Sequence, residues 1–234
     1  MEDQAQLSDD QRQKLLQFMT TEHSALQAGR SATIFETGAR TAAFLGTVSS
    51  ALVALAFVGQ ISGLGTAFFA FALVLLPTLF FVGLATFERA LESSIEDTIY
   101  ARGISRIRHL YVEIVPQAER YFVGSIHDDL ATTMASVRGQ TEGATAPARG
   151  RLSSVIVGSF LTMAGAIAVV NSVIVGSFVG LLIRAVVVNS LALSVGVGIV
   201  VFLVSVFLHQ RHGLARWHQT EQRLPVLFPS ERTP

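Results

Sequence analysis

The chain has no cysteine among its 234 residues. Disulfides, thiolate chemistry and Cys-ligated zinc are therefore excluded. Lysine is almost missing: of 17 basic residues only Lys14 is not arginine. Charge is scarce, at 15% of residues, where a soluble domain carries roughly a quarter. Basic and acidic residues balance at 17 each, so a nucleic-acid partner has no global electrostatic support. No Walker loop, GxSxG, GxGxxG or HExxH pattern stands in a suitable context, and no enzyme is expected. Neither is a cofactor or a metal site. His209 and His212 stand at i,i+3, but Glu221 is the nearest carboxylate in sequence. Met1 to Asp10 is acidic and polar, unlike the basic-then-apolar start of a cleavable signal peptide.

What the chain does have is apolar length. Half its residues are hydrophobic and mean hydropathy is +0.51. Leu152 to Leu208 is 57 residues with one charge, Arg184. A bilayer core of ~30 Å is spanned by ~20 apolar helical residues. Two crossings fit this run; three would leave no residues for turns. Thr41 to Phe87 carries no charge at all and divides at Gly59-Gln60-Ile61-Ser62-Gly63. The expected fold is an all-α membrane protein with four transmembrane helices arranged as two hairpins.

In chain order, residues 1–40 read as a cytoplasmic amphipathic helix. Ser8-Asp9-Asp10-Gln11 offers an N-cap with Gln at the capping-box position. Residues 41–87 form the first hairpin, with crossings at Thr41–Val58 and Leu64–Phe87. Pro77 sits near the middle of the second crossing and is a candidate hinge. Residues 88–138 form a helical cytoplasmic insert. Its first stripe includes Leu91, Ile95, Ile99 and Ile107 and ends at Val115-Pro116. A second helix is expected from Ala118 to Val137. Residues 139–151 have linker composition. The second hairpin, 152–209, is expected to cross at Leu152–Val175, turn at Gly176–Ile183 and cross again at Arg184–His209. An echo runs through it: Ser154–Phe160 recurs identically as Ser172–Phe178, read as local duplication. Residues 210–234 form a cytoplasmic tail, its end with Pro225, Pro229 and Pro234 expected to be loose.

The loop near Gly59 has no charge and the turn near Arg184 has one, while every other Lys and Arg lies on the opposite side. The positive-inside rule then puts both termini and the insert in the cytoplasm of a multi-pass protein of the inner (plasma) membrane.

Four sets of residues could carry function. Gly38, Ala42, Gly46, Ser50 and Ala54 recur every four residues, a small-residue face for close helix packing or a pore wall. Glu88, Glu92 and Glu96 share one helical face and could concentrate cations at a mouth. Arg102, Arg106 and Arg120 could bind phosphate groups of a nucleotide or lipid. Asn171, Asn189, Ser172, Ser190, Ser194, Ser205, Thr162 and Thr47 could line a pore or bond across helices. No ionisable group sits at mid-depth, which argues against a proton relay.

The stretches FMTTEHSALQAGRSATIFETGARTAAFLGTVSSALVALAFVG and YARGISRIRHLYVEIVPQAERYF resemble a group of uncharacterised actinobacterial integral membrane proteins with four helices. The resemblance implies membrane residence and no particular activity. The functional expectation is a homo-oligomeric membrane protein acting as a channel or pore, with membrane lipids as its surroundings. The alternative is a membrane-anchored sensor or scaffold whose cytoplasmic helices bind a nucleotide, anionic lipid or protein partner.

Overall fold

The computed structural model describes residues 8–130, 132–133, 162–186 and 190–230. Among these residues the chain is all-helical, without strands, and holds four long apolar helices. They are α1 (Asp9–Ser62), α2 (Thr66–Ile114), α3 (Met163–Val186) and α4 (Leu191–Arg223), with a short 3-10 helix at Pro116–Tyr121. Each of the four is long and apolar enough to cross a membrane. The described residues fall into two compact units. A polar unit holds those of Met1–Phe35, Ile95–Ala146 and Leu224–Pro234. An apolar unit holds those of Glu36–Ser94 and Pro147–Arg223.

α1 starts as the sequence predicts. The Ser8 amide donates to Gln11 Oε1 at 3.0 Å and the Gln11 amide to Ser8 Oγ at 3.3 Å. This reciprocal capping box meets two of the orphan N–H groups of a helix start. The lead-in helix continues through Thr41 into the first apolar stretch, and one helix of 54 residues runs to Ser62. Nothing between Ser8 and Ser62 breaks it, since Gly29 and Gly38 cost only about 1 kcal/mol each.

The expected break at Gly59–Gly63 lies slightly later. Gly63 and Leu64 both take positive φ, at 57° and 59°. The Leu64 amide bonds to Gly59 O and the Gly65 amide to Ser62 O, both at 3.0 Å. Gly59 stays helical and serves as a close approach: a Cβ there would meet Leu64 Cδ2 at 3.2 Å and Phe68 Cδ2 at 3.3 Å. α2 then continues through Pro77 to Ile114, so the crossing and the insert's first stripe are one helix. Val115 closes it, as expected before Pro116.

Two expectations fail beyond that point. The second insert helix does not form between Ala118 and Asp129. Pro116–Tyr121 is 3-10 and residues 122–129 are irregular, with helix resuming at Leu130. Polar side chains there bond to nearby backbone: Ser125 Oγ accepts the His127 amide at 2.9 Å and Asp129 Oδ1 the Thr132 amide at 3.0 Å. Met134 and Val137 lie outside the described residues. The turn expected at Gly176–Ile183 is also absent, because α3 runs through it to Val186. Its glycines serve packing. A Cβ on Gly176 would lie 2.7 Å from Gly198 O, and one on Gly198 2.8 Å from Gly176 O. Gly180 faces Ser194 O at 3.0 Å. Backbone thus meets backbone between α3 and α4, the arrangement a small-xxx-small pattern permits. Thr162 and Ser190 begin these helices: the Gly165 amide reaches Thr162 Oγ1 at 3.0 Å and the Leu193 amide Ser190 Oγ at 3.4 Å. α4 also absorbs residues 210–223, assigned above to the tail.

Candidate functional site

Within the apolar unit, α1 buries Thr37, Thr41, Phe44, Val48 and Ala51. These positions follow helical spacing, so one stripe faces the rest of the unit. The small-residue row lies off that stripe. Ala42, Gly46 and Ser50 are exposed, and a Cβ on Gly46 would meet nothing within 4 Å. Gly38 and Ala54 at its ends are half-buried, Gly38 facing Met163 Cε at 3.8 Å. Among the described residues, no helix covers the middle of the row.

The acidic residues of α2 are drawn to α4. Glu88 Oε1 accepts from His212 Nε2 at 2.8 Å, and Glu92 Oε1 lies 3.7 Å from Arg216 Nη2. The other Glu92 oxygen takes Arg89 Nη1 at 3.0 Å. His212 and Arg216 sit one helical turn apart on α4, and Glu88 and Glu92 one turn apart on α2, so the pairs form two rungs. Glu96 is exposed. The three glutamates thus divide into two paired groups and one facing solvent. Among the described residues no group of three or more His, Asp or Glu is placed to hold a metal ion.

Beside these rungs lies a polar seam. Ser172 Oγ donates to Ser205 Oγ at 2.9 Å, a bond across α3 and α4. His209 Nδ1 lies 2.8 Å from the Ser205 carbonyl, and its ring meets Phe87 edge-on at 4.7 Å. Asn171 is wholly buried, and neither of its amide atoms has a partner among the described residues. A Cβ at Gly83 would collide with its Oδ1 and come 2.8 Å from Phe44 Cζ. Gly83 is thus the gap that α1 and α3 fill. Asn189 lies outside the described residues. Pro77 is half-buried within α2.

In the polar unit, two of the arginines singled out for phosphate bond to main-chain carbonyls of adjacent residues. Arg102 Nη1 donates to Leu224 O at 3.2 Å. Arg106 Nη2 donates to Pro225 O at 2.6 Å, and its Nε to Asp128 Oδ2 at 2.7 Å. Arg120 instead lies over the neighbouring Tyr121 ring at 4.8 Å. Arg102 and Arg106 thereby hold Leu224 and Pro225, and residues 224–230 are docked where a loose end was expected, while Pro234 lies outside the described residues. Asp128, with a fully buried side chain, accepts the Leu227 amide at 3.1 Å and the Phe228 amide at 2.8 Å. Asp129 accepts the Ser230 amide at 3.1 Å. Phe228 stacks on His109 with centroids 3.9 Å apart. Burial by itself would raise the Asp128 carboxyl. Hydrogen bonds from Phe228, Arg106 and Leu227 outweigh it and hold the group below the ordinary carboxylate range. Asp129 is held low in the same way by Thr132 and Ser230. The dock reads main chain almost throughout, so sequence period carried no trace of it. Its one signal was the Asp128-Asp129 pair outside any apolar stripe, together with Pro225 and Pro229, which leave few amides to satisfy.

No family model matches the chain, no curated protein resembles it significantly in sequence, and no solved structure matches it.

Proposed function

We propose that the chain is a multi-pass integral membrane protein of the plasma membrane that assembles with copies of itself into a channel or pore. In this reading the four helices form two transmembrane hairpins, with both termini and the insert cytoplasmic. The observation that carries it is the uncovered middle of the small row on α1. Ala42, Gly46 and Ser50 face away from the described helices, and lipid gains nothing from small side chains there. A second copy of α1 gains close backbone contact. The absence of cysteine makes a clean test. Gly46→Cys and Ser50→Cys should form disulfide-linked dimers on mild oxidation in membranes, and Val53→Cys should not. The purified protein should also conduct ions in planar bilayers. A monomer in lipid, or an oligomer without conductance, would overturn the channel.

The tail dock favours a second reading, a membrane-anchored sensor or scaffold. A carboxylate and two arginines hold an extended segment by its main chain, which is how a peptide partner would be held. Cross-linking at Gly46→Cys without conductance would point to this reading.

A further inference from the structure

The antiparallel pairing of α1 and α2 inside the polar unit sets a row of opposed residues. Thr20 Oγ1 meets Tyr111 OH at 3.5 Å, Leu26 fills the space over Gly103, and Gly29 faces the Tyr100 ring at 3.4 Å. Arg30 Nε bonds Asp97 Oδ1 at 2.6 Å. In this register His23 lies opposite Arg108. Arg30 has its carboxylate, but Arg108 has none: among the described residues no Asp or Glu pairs with it and no acceptor takes its N–H groups. Its guanidinium is seated against the main chain at Gly124, where a Cβ would strike it. Burial first, and then the charge of Arg30, hold Arg108 below the ordinary arginine range. His23 is pushed down likewise, by burial and then by Arg108. His23 Nε2 stands 2.7 Å from Gln27 Nε2. Its other ring nitrogen, Nδ1, is buried and has no hydrogen-bond partner among the described residues. A half-buried guanidinium without a carboxylate thus stands beside a buried ring nitrogen that has no partner among the described residues.

We propose that Arg108, with His23 beside it, forms a binding site for a phosphate-bearing anion in the polar unit. A phosphate oxygen pair matches the planar fork of a guanidinium, and its negative charge relieves the crowding of Arg108 against Arg30. This is a different place from Arg102, Arg106 and Arg120, which the sequence singled out, and it does not depend on the channel reading. The phosphate has two sources, a free phosphate compound or a lipid headgroup.

The test uses the full chain in detergent and in vesicles. Inorganic phosphate and pyrophosphate should raise the midpoint of thermal unfolding saturably, because a ligand that binds only the folded state stabilises it by mass action. Arg108→Gln should weaken that response about tenfold or more, the loss expected from one charge-assisted hydrogen-bond pair. Arg120→Gln should leave it intact. Without phosphate, Arg108→Gln should unfold no earlier than the wild type, since a cation without a partner is lost. In native protein, phosphate should shield Arg108 from a dicarbonyl reagent, read by mass spectrometry; this measurement needs no variant. A headgroup site would give the same shielding in vesicles containing phosphatidylglycerol and none in pure phosphatidylcholine; a free-phosphate site would be indifferent to the lipid. Absence of shielding by phosphate, pyrophosphate and phosphatidylglycerol alike would overturn the site, as would an undiminished phosphate response in Arg108→Gln.

Discussion

Asp128 concentrates more local consequence than any other side chain in the polar unit. Its two oxygens take the Leu227 and Phe228 amides and the Arg106 guanidinium while its own amide donates to Phe228 O at 3.1 Å. Because its carboxyl titrates below the ordinary range, the dock's stability has a definite sign with pH. It is fully present above the unfolded-state value of about 3.9, and it is lost as pH falls through the lower value of the folded protein. Asp128→Asn replaces one acceptor oxygen by an amide and leaves Arg106 without its anion. We expect it to cost about 2–4 kcal/mol, to free the tail for carboxypeptidase at neutral pH, and to flatten the acid limb of stability. Thermal unfolding across pH 2–7 (about that window) tests this. An unchanged acid limb would mean that other carboxylates govern it. Asn171 is the contrasting case, a buried amide with no partner among the described residues, conspicuous only once Gly83 and Phe44 are seen to enclose it.

At the scale of elements, composition and period predicted four apolar helices, and four are present. Their ends were less legible, for one physical reason: glycine means different things in different surroundings. Gly63 marks a turn because the chain needs positive φ there. Gly176 and Gly180, equally plausible as turn residues, are where α4 comes close enough to touch backbone. Sequence alone does not separate the two uses, although Gly176 and Gly180 are four apart, the spacing of a packing pair. The insert's second helix failed because Ser125, Asp128 and Asp129 offered the backbone better partners than a helix does, and the tail supplied the rest. The two glycine rows now make opposed predictions. Gly176→Leu must force α3 from α4 and should destabilise the protomer by about 1–3 kcal/mol or more. Gly46→Leu, facing open space, should leave the protomer's thermal unfolding unchanged and weaken only its assembly. Val53→Leu, also exposed, should affect neither. Unfolding midpoints and native mass in detergent distinguish these outcomes; a loss of protomer stability in Gly46→Leu equal to that in Gly176→Leu would show that the row packs within the chain.

For the whole molecule, the distribution of arginine is the main constraint on how the chain would sit in a bilayer. Between Thr41 and Phe87 there is no charge, and between Leu152 and Leu208 only Arg184, near the C-terminal end of α3. An arginine at the centre of a membrane helix costs about 2.5–3.5 kcal/mol on insertion scales, and this cost falls near the ends, where the side chain reaches the interface. Arg184, two residues from the end of α3, is placed to reach the interface. The other cations would have to cross together to reverse the topology. We therefore expect the residues joining α1 to α2, and α3 to α4, to face outward, with Arg120 and the tail inside. Single cysteines at Gln60, Val186 and Arg120 in the otherwise cysteine-free chain test this directly. A membrane-impermeant maleimide should label Gln60→Cys and Val186→Cys in intact cells, and Arg120→Cys only after permeabilisation. Labelling of Arg120→Cys in intact cells would reverse the orientation. Labelling of Gln60→Cys from one side and Val186→Cys from the other would require a further crossing between α2 and α3 and would rule out a four-crossing topology.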